Sequence, residues 1–147
     1  MDQTAQRQVD ALLATYAESH RNHTNEIIHF ICVPAIVLSA LGMIWSLHPL
    51  AALAVSVLSL LYYFRLSVSF AIGMLLMSGA MLWLLSLAPQ DRVLQISFVI
   101  FVVAWIGQFI GHKIEGKKPS FFDDLRFLLI GPLFVLGFLY RRLHIRY

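Results

Sequence analysis

The chain of 147 residues has little charge and almost no cysteine. Only 13% of its residues are charged, roughly half the share found in a typical soluble domain. Its mean hydropathy is +0.76, so the composition indicates an integral membrane protein. The one cysteine, Cys32, excludes an intrachain disulfide and any zinc or iron–sulfur site built on several thiolates.

Two further absences narrow the class of protein. The first 29 residues are polar and carry no apolar segment near their start, so we expect no cleavable signal peptide. The net charge of +3 is modest, and basic residues do not alternate with aromatic ones as they do in RNA-binding segments. We therefore expect a lipid bilayer, and no nucleic acid, as the partner of the basic loops.

Four apolar segments are predicted to cross the membrane: residues 30–47, 50–64, 66–88 and 93–111. Residues 3–19 predict an amphipathic helix that lies on the membrane or packs on the bundle, because one face carries Val9, Leu12, Leu13 and Tyr16. Thr24 and Asn25 are good N-cap residues, so the next helix is expected to begin near residue 25. In the third span, Gly73 and Gly79 are typical of close helix contacts.

The last apolar segment, residues 127–140, is short and is interrupted by Gly131-Pro132. This length favours a re-entrant or interfacial segment over a fifth crossing. The predicted fold class is an all-α integral membrane protein. It has four transmembrane helices, an N-terminal amphipathic helix and a short C-terminal re-entrant or fifth membrane segment. We expect one membrane domain over residues 1–147, divided into 1–29, 30–111, 112–126 and 127–147.

The six histidines are the main candidates for chemistry, because imidazole is the commonest metal ligand among side chains. His20, His23 and His29 precede the first span, and His112 follows the fourth. Since four crossings return the chain to the side on which it started, the early cluster and His112 lie on one side of the membrane. His48 follows the first span and lies on the other side.

The connection between the first two helices decides whether the early histidines can meet. On one continuous helix, His20 and His29 would point to opposite faces, since each residue turns the helix by about 100°. A break at residues 22–25 removes this objection. We predict His20, His29 and His112 as joint metal ligands, with His23 as a further candidate, and we interpret His48 and His144 as polar anchors or helix caps.

Charge indicates which side of the membrane carries the site. The site side holds Arg7, Arg21, Arg65, Lys113, Lys117, Lys118 and Arg126, and the other side holds Arg92. Arg141, Arg142 and Arg146 join the other side only if the last segment crosses. In either case the site side holds more Lys and Arg, which predicts that it is cytoplasmic.

The ligand types restrict the metal. A site of imidazole nitrogens without cysteine suits Fe(II), zinc, copper or nickel. The six histidines are too few for the paired histidine motifs of a di-iron membrane hydroxylase, and none lies inside a span, where a haem pair would need them. The sequence is compatible with a mononuclear iron site, which could bind O2 and a chelating substrate together.

Two segments resemble the signatures of a small membrane family, the Fe(II)-dependent 2-hydroxy fatty acid dioxygenases. The first runs from Tyr16 to Pro34 (YAESHRNHTNEIIHFICVP) and the second from Trp105 to His112 (WIGQFIGH). An acidic residue, basic residues and Pro119 follow the second segment. The resemblance covers nearly the whole chain. The family usually has proline where this chain has His23.

The resemblance implies α-oxidation, in which a 2-hydroxy fatty acid and O2 give a fatty acid one carbon shorter. It implies Fe(II) as the cofactor, His20, His29 and His112 as the catalytic ligands, and Asn22 and Asn25 as further family positions. We expect these asparagines to orient the ligands, and Lys117, Lys118 or Arg126 to pair with the substrate carboxylate. The location would be the endoplasmic reticulum in a eukaryote or the inner membrane in a bacterium; the oligomeric state is not predicted.

Two other classes of function stay open. One is a non-enzymatic protein for metal binding or transport, although the only charged residues between positions 30 and 111 are Arg65, Asp91 and Arg92, all at turns. The other is a zinc-dependent membrane hydrolase. It would need a general base, for which the candidates are Glu18, Glu26 and Glu115.

Overall fold

The computed structural model describes residues 3–18, 20–116 and 127–147, and the side chains of all of these except residues 5–7. Within these ranges the chain forms helices and no strands. The helices are α1 (Gln3–Ala17), α2 (His23–Leu47), α3 (Pro49–Leu66), α4 (Val68–Leu87), α5 (Val93–Glu115) and α6 (Ile130–Arg142). Helices α2 to α5 are long and apolar enough to cross a membrane, which confirms the predicted fold class.

Very short connections make the four long helices run up and down. A single residue, His48, joins α2 to α3, and Ser67 alone joins α3 to α4. Each of these residues is extended, and its side chain accepts a hydrogen bond from the next helix's first turn. We call the end of the bundle that contains Ser67 the site end, and the end that contains His48 the far end.

Helix α2 begins at His23, two residues earlier than predicted, because Asn22 is its N-cap. The Asn22 side-chain oxygen accepts from the backbone N–H of Thr24 at 2.9 Å and of Asn25 at 3.4 Å. Asparagine is among the strongest N-cap residues, so the capping predicted for Thr24 or Asn25 was wrong. The helix continues through Pro34 to Leu47.

Helix α1 packs on the site end of the bundle through its predicted apolar face. Val9, Leu13 and Tyr16 are buried in a cluster with residues of α3, α4 and α6, and Leu12 packs against that cluster. Each fully buried side chain of this kind contributes about 1.5–3 kcal/mol. Burial of this face therefore holds α1, and the connection that follows it, against the bundle.

Helix α6 lies across the site end and does not form a fifth crossing. The hydroxyl of Tyr63, near the end of α3, donates to the carbonyl of Leu129 at 2.8 Å. The hydroxyl of Tyr140, near the end of α6, donates to the carbonyl of Ser69 at 2.6 Å. Both ends of α6 thus contact residues at the site end, as a re-entrant or interfacial segment would.

Helices α2 and α5 form the most extensive helix pair, and small residues allow it. A Cβ on Gly42 would meet Ser97, a Cβ on Gly107 would meet Cys32 at 2.6 Å, and a Cβ on Gly111 would meet Asn25. Small residues let helix backbones approach closely where no hydrophobic force drives association.

The glycines that the sequence singled out lie elsewhere, on α4. Gly73 packs closely against Tyr140 of α6, as predicted for a close helix contact. The prediction for Gly79 was wrong, because nothing lies within 4 Å of a Cβ placed there.

Candidate metal centre

Three histidines from three different parts of the chain are buried together at the site end. His20 lies in the connection between α1 and α2, His29 in the second turn of α2, and His112 in the last turn of α5. Their exposed fractions are 6%, 1% and 5%. Such low exposure is unusual for imidazole and requires that each ring be satisfied by a neighbour or a ligand.

The three rings converge. The ring centroids are 4.1 Å apart for His20 and His29, 5.1 Å for His29 and His112, and 5.7 Å for His20 and His112. One ring nitrogen from each lies within 4.8 Å of those of the other two. A single ion could therefore contact all three histidines.

Backbone carbonyls set the tautomer of two of these rings. The Nδ1 of His20 lies 2.6 Å from the carbonyl oxygen of Tyr16, and the Nδ1 of His29 lies 2.9 Å from that of Asn25. Because a carbonyl only accepts, Nδ1 must carry the proton in both rings. In the neutral rings Nε2 is then the nitrogen with the lone pair, which is the usual arrangement in metal-binding histidines.

The Nε2 of His29 is the most informative single atom of the cluster. It is buried and has no hydrogen-bond partner among the described residues. A buried nitrogen lone pair without a hydrogen bond is unfavourable. A cation beside it would supply one, so the donor set and its surroundings fit a bound transition metal.

A carboxylate ties the two halves of the site together. The Oε1 of Glu115 accepts from the backbone N–H of Arg21 at 2.9 Å, and its Oε2 accepts from the backbone N–H of Asn22 at 2.7 Å. Oε2 also accepts from the Asn25 side chain at 3.0 Å. We call Glu115 with these three donors the Glu115 clamp. It joins the end of α5, which carries His112, to the turn between His20 and His29.

Aromatic rings close the cluster on the side of α1 and α6. The Tyr16 ring stacks on His20 with centroids 4.2 Å apart and an interplanar angle of 7°. Phe134 of α6 lies 5.0 Å from Tyr16 and 5.7 Å from His20, centroid to centroid. These rings fix the His20 side chain and exclude water from that side.

The other predicted site residues have different positions. His23 is exposed at the first position of α2 and lies outside the cluster, because six residues of helix turn it by about 240° from His29. His48 and His144 are also exposed, and His48 caps α3. Lys117, Lys118 and Arg126 lie outside the described residues.

Asn22 and Asn25 stabilise the turn at the start of α2 and its contact with Glu115. Asn22 caps α2 with its side chain and donates its backbone N–H to Glu115. Asn25 is fully buried, holds His29 through its carbonyl, and reaches Glu115 through its side chain. Asn25 thus orients a ligand histidine through its backbone, while its side chain joins the clamp.

Sequence reasoning missed the clamp role of Glu115 and the close packing of Gly111. A Cβ on Gly111 would contact the Asn25 Oδ1 and lie 3.2 Å from the His29 Cε1. The spacing of Gly107 and Gly111 within WIGQFIGH is the small-xxx-small pattern of close helix pairs, and could have indicated this contact. The clamp left no such pattern in the sequence.

The fold and the site define a helical membrane protein with a buried cluster of three histidines at one end of its bundle. The model of the family described as "2-hydroxy-palmitic acid dioxygenase Mpo1-like" matches residues 6–143. The chain belongs to this Mpo1-like family.

A curated relative agrees with the family match. The 2-hydroxy-palmitic acid dioxygenase MPO1 of Saccharomyces cerevisiae is 31% identical over 134 residues, which cover 84% of this chain and 75% of the relative. No solved structure gives a significant match.

Proposed function

We propose that this protein is an Fe(II)-dependent dioxygenase that oxidises 2-hydroxy fatty acids to fatty acids one carbon shorter. The observation that carries the proposal is the buried His29 Nε2, directed with His20 and His112 toward one point. The family membership and the printed activity of the yeast relative support the substrate class.

The residues assigned to the metal are His20, His29 and His112. Once bound, Fe(II) would supply the redox chemistry and the open positions at which the substrate's carboxylate, its 2-hydroxyl and O2 meet. The carbonyls of Tyr16 and Asn25 hold His20 and His29 in the tautomer that presents Nε2. The Glu115 clamp holds the end of α5, which carries His112, beside the turn between His20 and His29.

The reaction balances without a further co-reactant. A 2-hydroxy acid and one O2 give the shortened acid, CO2 and water: the bond between the carboxyl carbon and the 2-carbon breaks, that 2-carbon becomes the new carboxyl group, and O2 is reduced. Lys117, Lys118 or Arg126 would pair with the substrate's carboxylate. The apolar spans beside the site would receive the acyl chain directly from the bilayer.

The alternatives are less well supported. A zinc hydrolase would need a free carboxylate as its base, but Glu115 already accepts three hydrogen bonds. Neither Glu18 nor Glu26 joins the metal-binding cluster found among the described residues. A transporter would show ionisable groups along its spans, and Arg65 lies in the last turn of α3.

The test is turnover by the metal-loaded protein. We expect protein purified without oxygen, then given Fe(II), O2 and 2-hydroxypalmitate, to release the C15 acid. Zinc-loaded protein should release none. A fully iron-loaded protein that gives no C15 acid would contradict the proposal, and hydrolysis of an ester or amide by the zinc form would favour the hydrolase.

We also propose that the site faces the cytoplasm. Because both ends of α6 contact the site end, the Lys and Arg residues within the described ranges, except Arg92, belong to that end of the bundle, which supports the positive-inside argument. In a Cys32→Ala background, an impermeant maleimide added to intact cells should label Asp91→Cys at the far end and spare Lys113→Cys at the site end. Labelling of Lys113→Cys alone would reverse the orientation.

A further inference from the structure

A small pocket lies one helical turn inside the bundle from the histidines. It has a volume of about 20 Å³, and its lining includes Tyr16, Val33 and Gln108. Tyr16 stacks on His20, while Val33 and Gln108 lie four residues from His29 and His112 along their helices. The pocket therefore borders the cluster on the membrane side, and its volume suffices for one water-sized group.

Gln108 is the unusual residue of this pocket. It is only 4% exposed, and it lines the pocket. Buried amides are stabilised by hydrogen bonds, so Gln108 offers a bonding partner to a polar group that enters the pocket. An amide offers both donors and an acceptor, which suits a hydroxyl or a carboxylate oxygen.

A second, larger cavity shares one lining residue, Leu128, with this pocket. It measures about 170 Å³ and lies among α2, α3 and α4, where its lining includes Ala40, Ile44, Ser59 and Leu128. Leu128 lines both cavities, so its side chain stands between the histidine end and the interior of the bundle. We call the larger cavity the apolar groove.

The groove is apolar even though it contains three serines. The hydroxyls of Ser56, Ser59 and Ser78 donate to the carbonyls of Ala52, Val55 and Met74 within their own helices. These bonds use the hydroxyl protons of all three serines. The other lining residues are apolar apart from Tyr63, whose hydroxyl also donates to a backbone carbonyl, so the groove suits an alkyl chain better than a polar ligand.

The groove is long enough to hold the larger part of a lipid chain. Its lining on α2 runs from Val37 to Ile44, which spans about 10 Å at the rise of an α-helix. A chain that fills one leaflet is about 15 Å long, half of the hydrocarbon thickness. Val55 is partly exposed at the groove, so a chain could enter from the bilayer.

We propose that the two cavities form one substrate site: Gln108 binds an oxygen of the 2-hydroxy acid head, and the acyl chain passes Leu128 into the apolar groove. This proposal rests on the proposed function for the identity of the substrate. It adds a polar residue for head recognition and a surface that sets the preferred chain length.

Photolabelling tests the groove without turnover. A 2-hydroxy fatty acid with a diazirine near its tail, applied to the full-length protein without oxygen, should label residues 37–44 of α2 or 55–63 of α3, and 2-hydroxypalmitate should compete. Ala40→Phe fills the groove and should reduce labelling more than tenfold. Ala54→Phe is the matched control, because Ala54 is exposed on α3 and does not line the groove.

Chain-length preference gives a second readout. Ala40→Phe should lower kcat/KM for 2-hydroxypalmitate about tenfold while a C8 substrate is unaffected, and Ser59→Phe should act likewise if Ala40→Phe fails to fold. Equal labelling in Ala40→Phe and Ala54→Phe, or labelling of the same residues by a phosphatidylcholine probe that 2-hydroxypalmitate does not displace, would overturn the groove assignment.

Gln108 has its own test. Gln108→Leu should bind 2-hydroxypalmitate about tenfold more weakly, while its affinity for palmitate and its metal content stay unchanged. Equal affinity of Gln108→Leu and wild type for 2-hydroxypalmitate would mean that Gln108 binds a structural water only, and would overturn its role. Labelling of the groove without any C15 product would leave this site standing and defeat the proposed function instead.

Discussion

The two ends of the bundle use histidine in opposite ways. At the site end, the Nδ1 of His29 donates to a carbonyl and leaves Nε2 as the buried lone pair. At the far end, the Nδ1 of His48 accepts from the backbone N–H of Leu50 at 3.0 Å, so its proton belongs on Nε2, in an exposed ring. The partner of Nδ1, and not the residue type, decides which histidine can bind a metal.

The two ends also differ in how they close. The site end is held by a charged group, the Glu115 clamp, and by the packing of α1 and α6. The far end is held by apolar packing around Leu41, Met81 and Leu85 and by the neutral side chain of Gln90. This side chain accepts from the Trp45 indole N–H at 2.7 Å and donates to the carbonyls of Leu85 and Ala88. The following substitutions test whether metal binding and C15 acid formation depend on the site end alone.

The largest effect is expected from the histidines. Replacing His29 with alanine removes a buried ligand, so metal affinity should fall by more than about 100-fold, beyond the 10–100-fold typical of a supporting residue. Bound metal per protein and C15 acid formation would measure the change. His48→Ala should retain both, and full metal content in His29→Ala would refute the assigned ligand set.

The next effect is expected at the clamp. Glu115→Ala removes three hydrogen bonds to a charged acceptor, so stability should fall by about 1.5–3 kcal/mol and metal affinity by about 10–100-fold. Denaturation in detergent and metal titration give the two values. Glu18, an exposed residue of the same charge, is the control, and an equal loss in Glu18→Ala would show that general charge, and not the clamp, matters.

A smaller effect is expected at the glycines. Gly111→Ala inserts a methyl group against Asn25 and His29, and overpacking of this kind costs about 1–3 kcal/mol. It should also weaken metal binding, since His29 must move. Gly79→Ala makes the same change in open space and should be neutral or stabilising by up to about 1 kcal/mol. Thermal unfolding of the pair would fail to support the packing argument if the order were reversed.

The smallest effect is expected at the far end. Gln90→Ala removes the acceptor of the Trp45 indole and the donor to the carbonyls of Leu85 and Ala88. Because Gln90 is exposed and water can replace these bonds, the change should cost only about 0.5–1.5 kcal/mol. Metal affinity should not change. A drop in bound metal would show that the two ends are energetically linked through α2 and α5.

The parts that could be predicted from the sequence are those that depend on periodicity and chain order. Apolar length predicts α2 to α5, and counting their crossings brings His112 to the side of His20 and His29. The short length of the last segment favours a re-entrant or interfacial path over a crossing, but the position of α6 could not be predicted. Its 13 residues suit several arrangements, and the hydrogen bonds of the Tyr63 and Tyr140 hydroxyls decide among them.

Other features depend on exact register. The helix start at His23 depends on whether Asn22 or a neighbour caps α2, and several residues there are good caps. The Glu115 clamp requires that the last turn of α5 stand beside one particular turn of backbone, which no local pattern encodes. His23 was proposed as a further ligand because it precedes the first span with His20 and His29, and its rotation about α2 places it outside the three-histidine cluster.

The wide separation of the ligands along the chain has a consequence for synthesis. His20 and His29 leave the ribosome early, but His112 comes at the end of the last long helix, together with Glu115. A chain still being made thus holds an incomplete set of ligands and an open turn. The full donor set exists only after α5 has been inserted beside α2, so metal acquisition would follow assembly and would distinguish finished molecules from truncated ones.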